Sequence, residues 1–246
     1  MKHVIVLTAL TIFEASGGEF DSNSQARQAL RASHGGQSFG YISGERLEYQ
    51  ALERSPQAIW EAQAWWGSDD HKLWFKTEGE FDTHADQFEE MEYQLLYSRA
   101  TLPFWDLQAG FRQDFSPDTT RSYATIGVMG LAPYWFEVDA ALFVSHKGKV
   151  SARLELEYDL RVTQRAILQP RVELNGAFAD DAGLEQGSGL THADVGIRLR
   201  YEFTRQFAPY FGVEWSTHVG ETADRKQLSG EDTAATMLVA GIRLWF

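Results

Sequence analysis

Cysteine is absent from the 246 residues, which removes disulfide frameworks, Cys-ligated zinc, iron–sulfur clusters and thiol catalysis together. No run of about 18 or more apolar residues occurs, so the chain has no helix-type transmembrane span. Basic residues are outnumbered, 22 Lys and Arg against 35 Asp and Glu, for a formal net charge of -13. That excludes a nucleic-acid partner held on a basic face, because neutralising phosphates takes Lys and Arg in excess. Aromatic side chains, by contrast, are abundant: 8 Trp, 9 Tyr and 16 Phe in a chain that is 43% hydrophobic. A soluble globule needs a large core to hide so many rings.

Residues 1–18 open with Lys2 and His3, continue through an apolar run from Val4 to Phe13, and end in Ala15, Ser16, Gly17 and Gly18. This is the shape of a secretory signal with a short apolar region, from which Glu14 departs. Residues 19–40 are polar and read as a flexible arm. From 41 to 246 the dominant period is two, the strand period. Between Ala152 and Val162 the even positions are Ala, Leu, Leu, Tyr, Leu and Val, and the odd ones are Arg153, Glu155, Glu157, Asp159 and Arg161. A helix would scatter those charges all round; a strand puts them on one face.

The same alternation recurs around Leu73–Thr77, Trp105–Phe111, Phe136–Leu142, Leu168–Leu174, Val195–Tyr201, Phe211–Trp215 and Leu238–Phe246, with weaker segments near 41–51, 58–67, 89–100 and 121–131. About twelve strands of roughly ten residues result, each long enough to cross a bilayer at a tilt. Short connections alternate with longer or more polar ones near 52–57, 81–88, 115–120, 146–150, 177–190 and 219–234. The pattern predicts an all-β fold, an antiparallel transmembrane β-barrel of the outer-membrane type, with both termini on the short-turn, periplasmic side. Trp66, Phe104, Trp105, Tyr134, Trp135, Phe136, Tyr201 and Phe203 cluster near the short turns, as an interfacial girdle does. The terminal Phe246 closes an alternating strand and looks like the signal read by outer-membrane assembly machinery. A soluble sandwich or lipocalin-like barrel would bury the apolar faces instead, but strand number, strand length and the rings near the turns favour lipid.

With the apolar face on lipid, the charged face lines the lumen. So many charges in a narrow barrel must mostly pair across strands, because a buried unpaired charge is expensive. The excess of acid makes the interior attractive to cations.

Three stretches resemble the copper resistance protein B family: Trp60-Glu61-Ala62-Gln63-Ala64-Trp65-Trp66-Gly67 through Leu73-Trp74-Phe75-Lys76-Thr77-Glu78-Gly79-Glu80; Leu96-Tyr97-Ser98-Arg99-Ala100 with Pro103-Phe104-Trp105-Asp106-Leu107-Gln108-Ala109-Gly110; and Gly130-Leu131-Ala132-Pro133-Tyr134-Trp135-Phe136. The resemblance covers roughly residues 41–246. It implies a bacterial outer-membrane barrel linked to copper tolerance, with copper ions as ligand or cargo and a periplasmic multicopper oxidase as a partner. One departure is visible: family members often carry a Met- and His-rich amino-terminal segment, whereas residues 1–40 hold only Met1, His3 and His34.

Thioether and imidazole groups suit copper. Strand register places His218 and Met237 in the lumen at the long-loop end of the last hairpin, with His192 facing inward at the same end. His84 and His146 fall in long loops, so these five gather at the extracellular mouth. Met129 is lumenal near the periplasmic end, and His71 lies in a periplasmic turn. No pair has a tight spacing such as His-x-His. Two other functions stay open. One is a general cation-selective porin. The other is an outer-membrane phospholipase, whose Ser nucleophile and His would be Ser145–His146 or Ser216–His218; no catalytic string surrounds either pair, and the chain is read as no enzyme.

Overall fold

The structure is a computed structural model that describes residues 24–27, 29, 37–51, 56–117, 119–230 and 232–246. The signal-like segment 1–18 lies outside these residues, as does most of the polar arm, of which 24–27 form a short helical stretch. The barrel begins slightly before residue 41. Its strands are β1 (Phe39–Ala51), β2 (Gln57–Gly67), β3 (His71–Asp82), β4 (Gln87–Leu102), β5 (Trp105–Phe115), β6 (Thr120–Ala132), β7 (Phe136–Ser145), β8 (Val150–Glu157), β9 (Leu160–Arg161), β10 (Ala166–Ala177), β11 (Gly189–Tyr201), β12 (Phe207–His218) and β13 (Ala234–Trp245).

Sequential strands pair antiparallel and β13 returns to β1, so the sheet closes. Closure removes every edge and satisfies the backbone without water, as a hydrocarbon environment demands. β8 and β9 both pair with β10 and are two pieces of one strand, which makes a twelve-strand barrel. Proline explains the break. Pro170 of β10 accepts from the Tyr158 amide at 3.2 Å but has no N–H to return. The ladder therefore lapses for two residues and resumes at Leu160 in the same register.

Burial is inverted relative to a soluble barrel. The buried set includes Glu48, Gln50, Glu92, Arg171, Arg198 and Glu214, while Phe211 is 64% exposed and Leu238 67%. At the short-turn end Trp66, Phe104, Tyr134 and Trp135 are all strongly exposed. Phe104, Tyr134 and Trp135 hold positive φ of 67°, 68° and 68°, a region that costs a bulky residue energy and here turns three rings outward at the interface.

β1 alternates weakly in sequence because a bulge follows Gly44. The bulge delivers both Glu45 and Arg46 to the lumen, where they pair with Arg243 at 2.6 Å and Glu61 at 2.7 Å. A second irregularity is packed shut: Trp60 lies across Gly79, its cross-strand partner, and a Cβ there would fall 2.3 Å from the indole. Gly79→Leu is expected to cost about 1–3 kcal/mol through overpacking, measured by urea unfolding in micelles; no loss of stability would show that the indole swings aside freely.

At the other end β3 and β4, β5 and β6, and β7 and β8 are each separated by only four residues, so among the described connections the asymmetry of the loops rests on 178–188 and 219–233. The second of these contains a helix, α1 (Gly220–Leu228), where the sequence reading had only a polar loop. Its trace in the sequence is the Glu221–Arg225 spacing, an i,i+4 pair 3.8 Å apart.

Candidate functional site

Register places lumenal acids in two rows. Glu61, Glu78, Glu92 and Asp114 stand side by side across β2–β5. Asp139, Glu155, Glu173 and Asp194 do the same across β7, β8, β10 and β11. Like charges directly opposite one another repel, and arginines reaching between the rows offset this. Arg153 binds Glu78 and, at 2.9 Å, Glu92 in the first row, and lies 3.5 Å from Glu173 in the second. Arg171 holds Glu155 at 2.5 Å and Glu173 at 2.7 Å in the second row and approaches Glu157 at 3.2 Å and Glu61 at 3.9 Å. Arg112 adds Glu92 and Asp114, both at 2.7 Å, with its guanidinium 4.4 Å from the centre of the Phe143 ring.

This layer fills the middle of the barrel. Below it lie spaces of about 70 Å³ beside Lys76, Gln108 and Phe143 and of about 10 Å³ near Arg243 and Tyr210. Above it lies a vestibule of about 470 Å³. Arg153 and Arg171 belong to its lining, and the wall rises through Glu80, Glu90, Asp194, His192, His218 and Met237. Glu80 and Glu90 face each other across β3 and β4. The vestibule is acidic, and it opens at the long-loop end.

Three of the six expected ligands meet in this vestibule. His192 and His218 are direct cross-strand partners with ring centres 4.6 Å apart, edge to face. Met237, 5% exposed, lines the same space from β13. His192 Nε2 is bound to Asp194 at 2.9 Å and to Ser216 Oγ at 2.8 Å. The other three stand apart. His84 is exposed in the 83–86 turn and His146 in the 146–149 turn, where its Nδ1 accepts from the Ser122 amide at 3.4 Å. Met129 lies deeper in the lumen, its sulfur 4.0 Å from Lys76 Nζ. Among the described residues no three His, Asp or Glu side chains converge tightly enough to hold a metal ion between them.

The serines of the two pairs considered for catalysis each have a hydrogen bond outside the pair. Ser145 is buried, and its Oγ accepts from the Lys149 amide at 3.0 Å. Ser216 meets His192, yet the same Nε2 also serves Asp194. A relay uses the two ring nitrogens separately, one for the nucleophile and one for the carboxylate.

Over the mouth the two long loops are tied together. Thr222 of α1 accepts the Gly187 amide at 2.9 Å, and Arg225 donates to the Gln186 carbonyl at 3.1 Å and to Asp180 at 2.7 Å. Arg121, at the start of β6, forms a buried ion pair with Asp181. The Arg121 guanidinium holds the Asp181 carboxyl below the usual carboxylate range, and Arg225 does the same for Asp180. The sequence reading did not assign Glu45, Arg46, Glu48 or this tie.

A closed twelve-strand antiparallel barrel, apolar outside and charged inside, with short turns at one end and an aromatic girdle, is an outer-membrane β-barrel. The chain belongs to the copper resistance protein B family: the family model for copper resistance protein B precursor (CopB) matches residues 38–246. Copper resistance protein B of Escherichia coli is 43% identical over 202 residues, 82% of this chain and 68% of that protein. A copper resistance protein B homolog of Pseudomonas syringae pv. tomato is 40% identical over 226 residues, 89% of this chain and 76% of that one. Among solved structures a crystal form of the NanC porin shares the fold, with a TM-score of 0.54 and 10% identity over 84% of this chain and 99% of that one. The protein is thus a copper-resistance outer-membrane barrel.

Proposed function

We propose that the barrel serves copper tolerance by binding copper ions in the outward-facing vestibule, without catalysing a reaction. The observation that carries this reading is the convergence of His192, His218 and Met237 on one acidic cavity. Imidazole and thioether are the donor types that copper accepts, the thioether favouring Cu(I). With Nε2 of His192 tied to Asp194, Nδ1 is left to ligate, the arrangement in which a carboxylate orients a metal-bound histidine. Glu80, Glu90 and Asp194 supply negative potential that concentrates cations at the mouth. A general cation-selective porin is the second reading. The arginine-bridged layer beneath the vestibule speaks against it, since its side chains cross the lumen between the two acidic rows.

Copper titration of the refolded full chain tests this. Wild type is expected to bind copper in the vestibule, and His192→Ala, His218→Ala and Met237→Ala are each expected to weaken binding by about tenfold or more, the scale of losing one ligand or its orienting partner. Affinity unchanged in all three variants would overturn the site. Conductance of small monovalent cations in planar bilayers, indifferent to copper, would favour the porin.

A further inference from the structure

Inside the barrel arginines hold carboxylates: Arg171 holds Glu155, Arg198 Glu48, Arg200 Asp159 and Arg243 Glu45, all within 2.7 Å. One sector of the short-turn rim is different. Arg161, Arg165 and Arg205 are exposed, and none has a carboxylate partner among the described residues. Arg161 ends β9, Arg165 lies in the 162–165 turn before β10, and Arg205 lies in the 202–206 turn before β12. Across 160–165 and 202–206 the one acid is Glu202, which is half-buried. Glu137 and Glu157 stand side by side four residues higher on the strand than Arg161, about 13 Å away along extended backbone. A chain with a net charge of -13 therefore carries net positive charge at this part of its rim.

The backbone that presents these arginines is fixed. The Glu202 amide donates to the Arg165 carbonyl at 2.8 Å, which joins the two turns. The Trp245 indole donates to the Arg205 carbonyl, and the Val162 amide closes the first turn on Ala166 at 3.0 Å. The outward side of this region is apolar: Leu160, Val162, Tyr201 and Phe203 are all at least 43% exposed and meet the bilayer. Arg161 is on the other side. Its cross-strand partner Ile167 is fully buried in the lumen, so Arg161, exposed in the same row, stands at the lower mouth and addresses the water beneath it. Arg165 and Arg205 extend the positive charge along the two joined turns.

We infer that Arg161, Arg165 and Arg205 form a docking surface for the acidic face of a soluble periplasmic protein, seated at the lower mouth. The short turns of an outer-membrane barrel lie on the periplasmic side. Guanidinium is a planar fork matched to carboxylates, and arginine is enriched at the energetic centres of interfaces. Elsewhere the negative chain repels such a partner, so charge complementarity confines it to this sector. An anionic phospholipid headgroup carries the same sign of charge, but it meets the outward side of these turns, where the residues are apolar.

The test uses the full chain in its own outer membrane, with the exposed Gln164 replaced by photoreactive benzoylphenylalanine. Crosslinking is expected to join the barrel to a soluble protein through a segment rich in Asp and Glu, identified by mass spectrometry of the joined peptide. Arg161→Glu, Arg165→Glu and Arg205→Glu together are expected to lower the yield about tenfold or more, the scale of losing three exposed ion pairs. Substituting Lys for the acids of the joined segment is expected to restore it. Heat-modifiable gel mobility confirms that the reversed barrel is folded, and the three Arg→Gln changes take its place if it is not. Phosphatidylglycerol retained by the refolded chain in detergent, counted by native mass spectrometry, is expected to be the same with and without the reversal. No protein adduct, an adduct indifferent to the reversal, or a reversal that strips bound phosphatidylglycerol would overturn the proposal.

Discussion

Replacing Arg171 by Ala is expected to cost about 3–5 kcal/mol of stability, the scale of breaking a buried ion pair from one side. Among the described residues Arg171 is the one guanidinium within 4 Å of Glu61, Glu155, Glu157 and Glu173 at once. Without it the second acidic row is left in register and uncompensated from that side, in a confined lumen. Arg171→Lys keeps the charge but loses the planar fork that reaches several carboxylates, so an intermediate loss is expected. Urea unfolding in micelles, followed by tryptophan fluorescence and gel mobility, measures both. The same substitution thins the layer beneath the vestibule, so a cation conductance absent from wild type is expected in bilayers. An Arg171→Ala barrel as stable as wild type would mean that the rows are held apart by something other than arginine.

The second large effect is expected at the mouth. Asp181→Asn leaves the buried Arg121 guanidinium without its counter-charge, and the tie between 178–188 and α1 loses one of its anchors. Protease cleavage within 182–188 is expected to accelerate about a hundredfold or more, as a local opening eased by roughly 3 kcal/mol would give. The wild-type tie is also expected to depend on pH. Because Arg121 depresses the Asp181 carboxyl, its contribution is fully present above the ordinary aspartate value of about 4 and is lost as pH falls through the lower, folded value. Cleavage with an acid-active protease should therefore rise at low pH in wild type and rise less in Asp181→Asn, where of the two carboxylates only Asp180, held down by Arg225, still titrates. A flat wild-type profile would show that neither carboxylate is needed to hold the loops.

Much of this was legible in the strand period. The alternation from Ala152 to Val162 named the outward and inward faces correctly, and the short-turn positions predicted which end carries Trp66, Phe104 and Trp135. The period was silent where a single residue changes the backbone: Pro170 interrupts the strand opposite it, and the bulge after Gly44 turns Glu45 and Arg46 to the same side. Register lay further out of reach. Nothing in the chain order says that Asp139, Glu155, Glu173 and Asp194 form one row, because their alignment depends on three separate hairpins. The meeting of His192 with His218 was half visible, since both were placed inward at one end. Their direct pairing, and the separation of His84 and His146 from them, emerges only once the turns are fixed. Helix α1 was missed because a helix of this length, lying inside a connection, produces too little periodicity to stand out.

On the proposed reading, the arginine layer makes the vestibule a cup rather than a pipe. A pipe is characterised by a rate, and one copy can serve a cell for as long as a gradient lasts. A cup is characterised by a number. Once each barrel is occupied, further protection requires further barrels, and an ion in residence still exchanges with the medium it came from. If copper is held in this vestibule, tolerance should track the count of barrels on the surface and saturate with dose, as a sponge does and a pump does not.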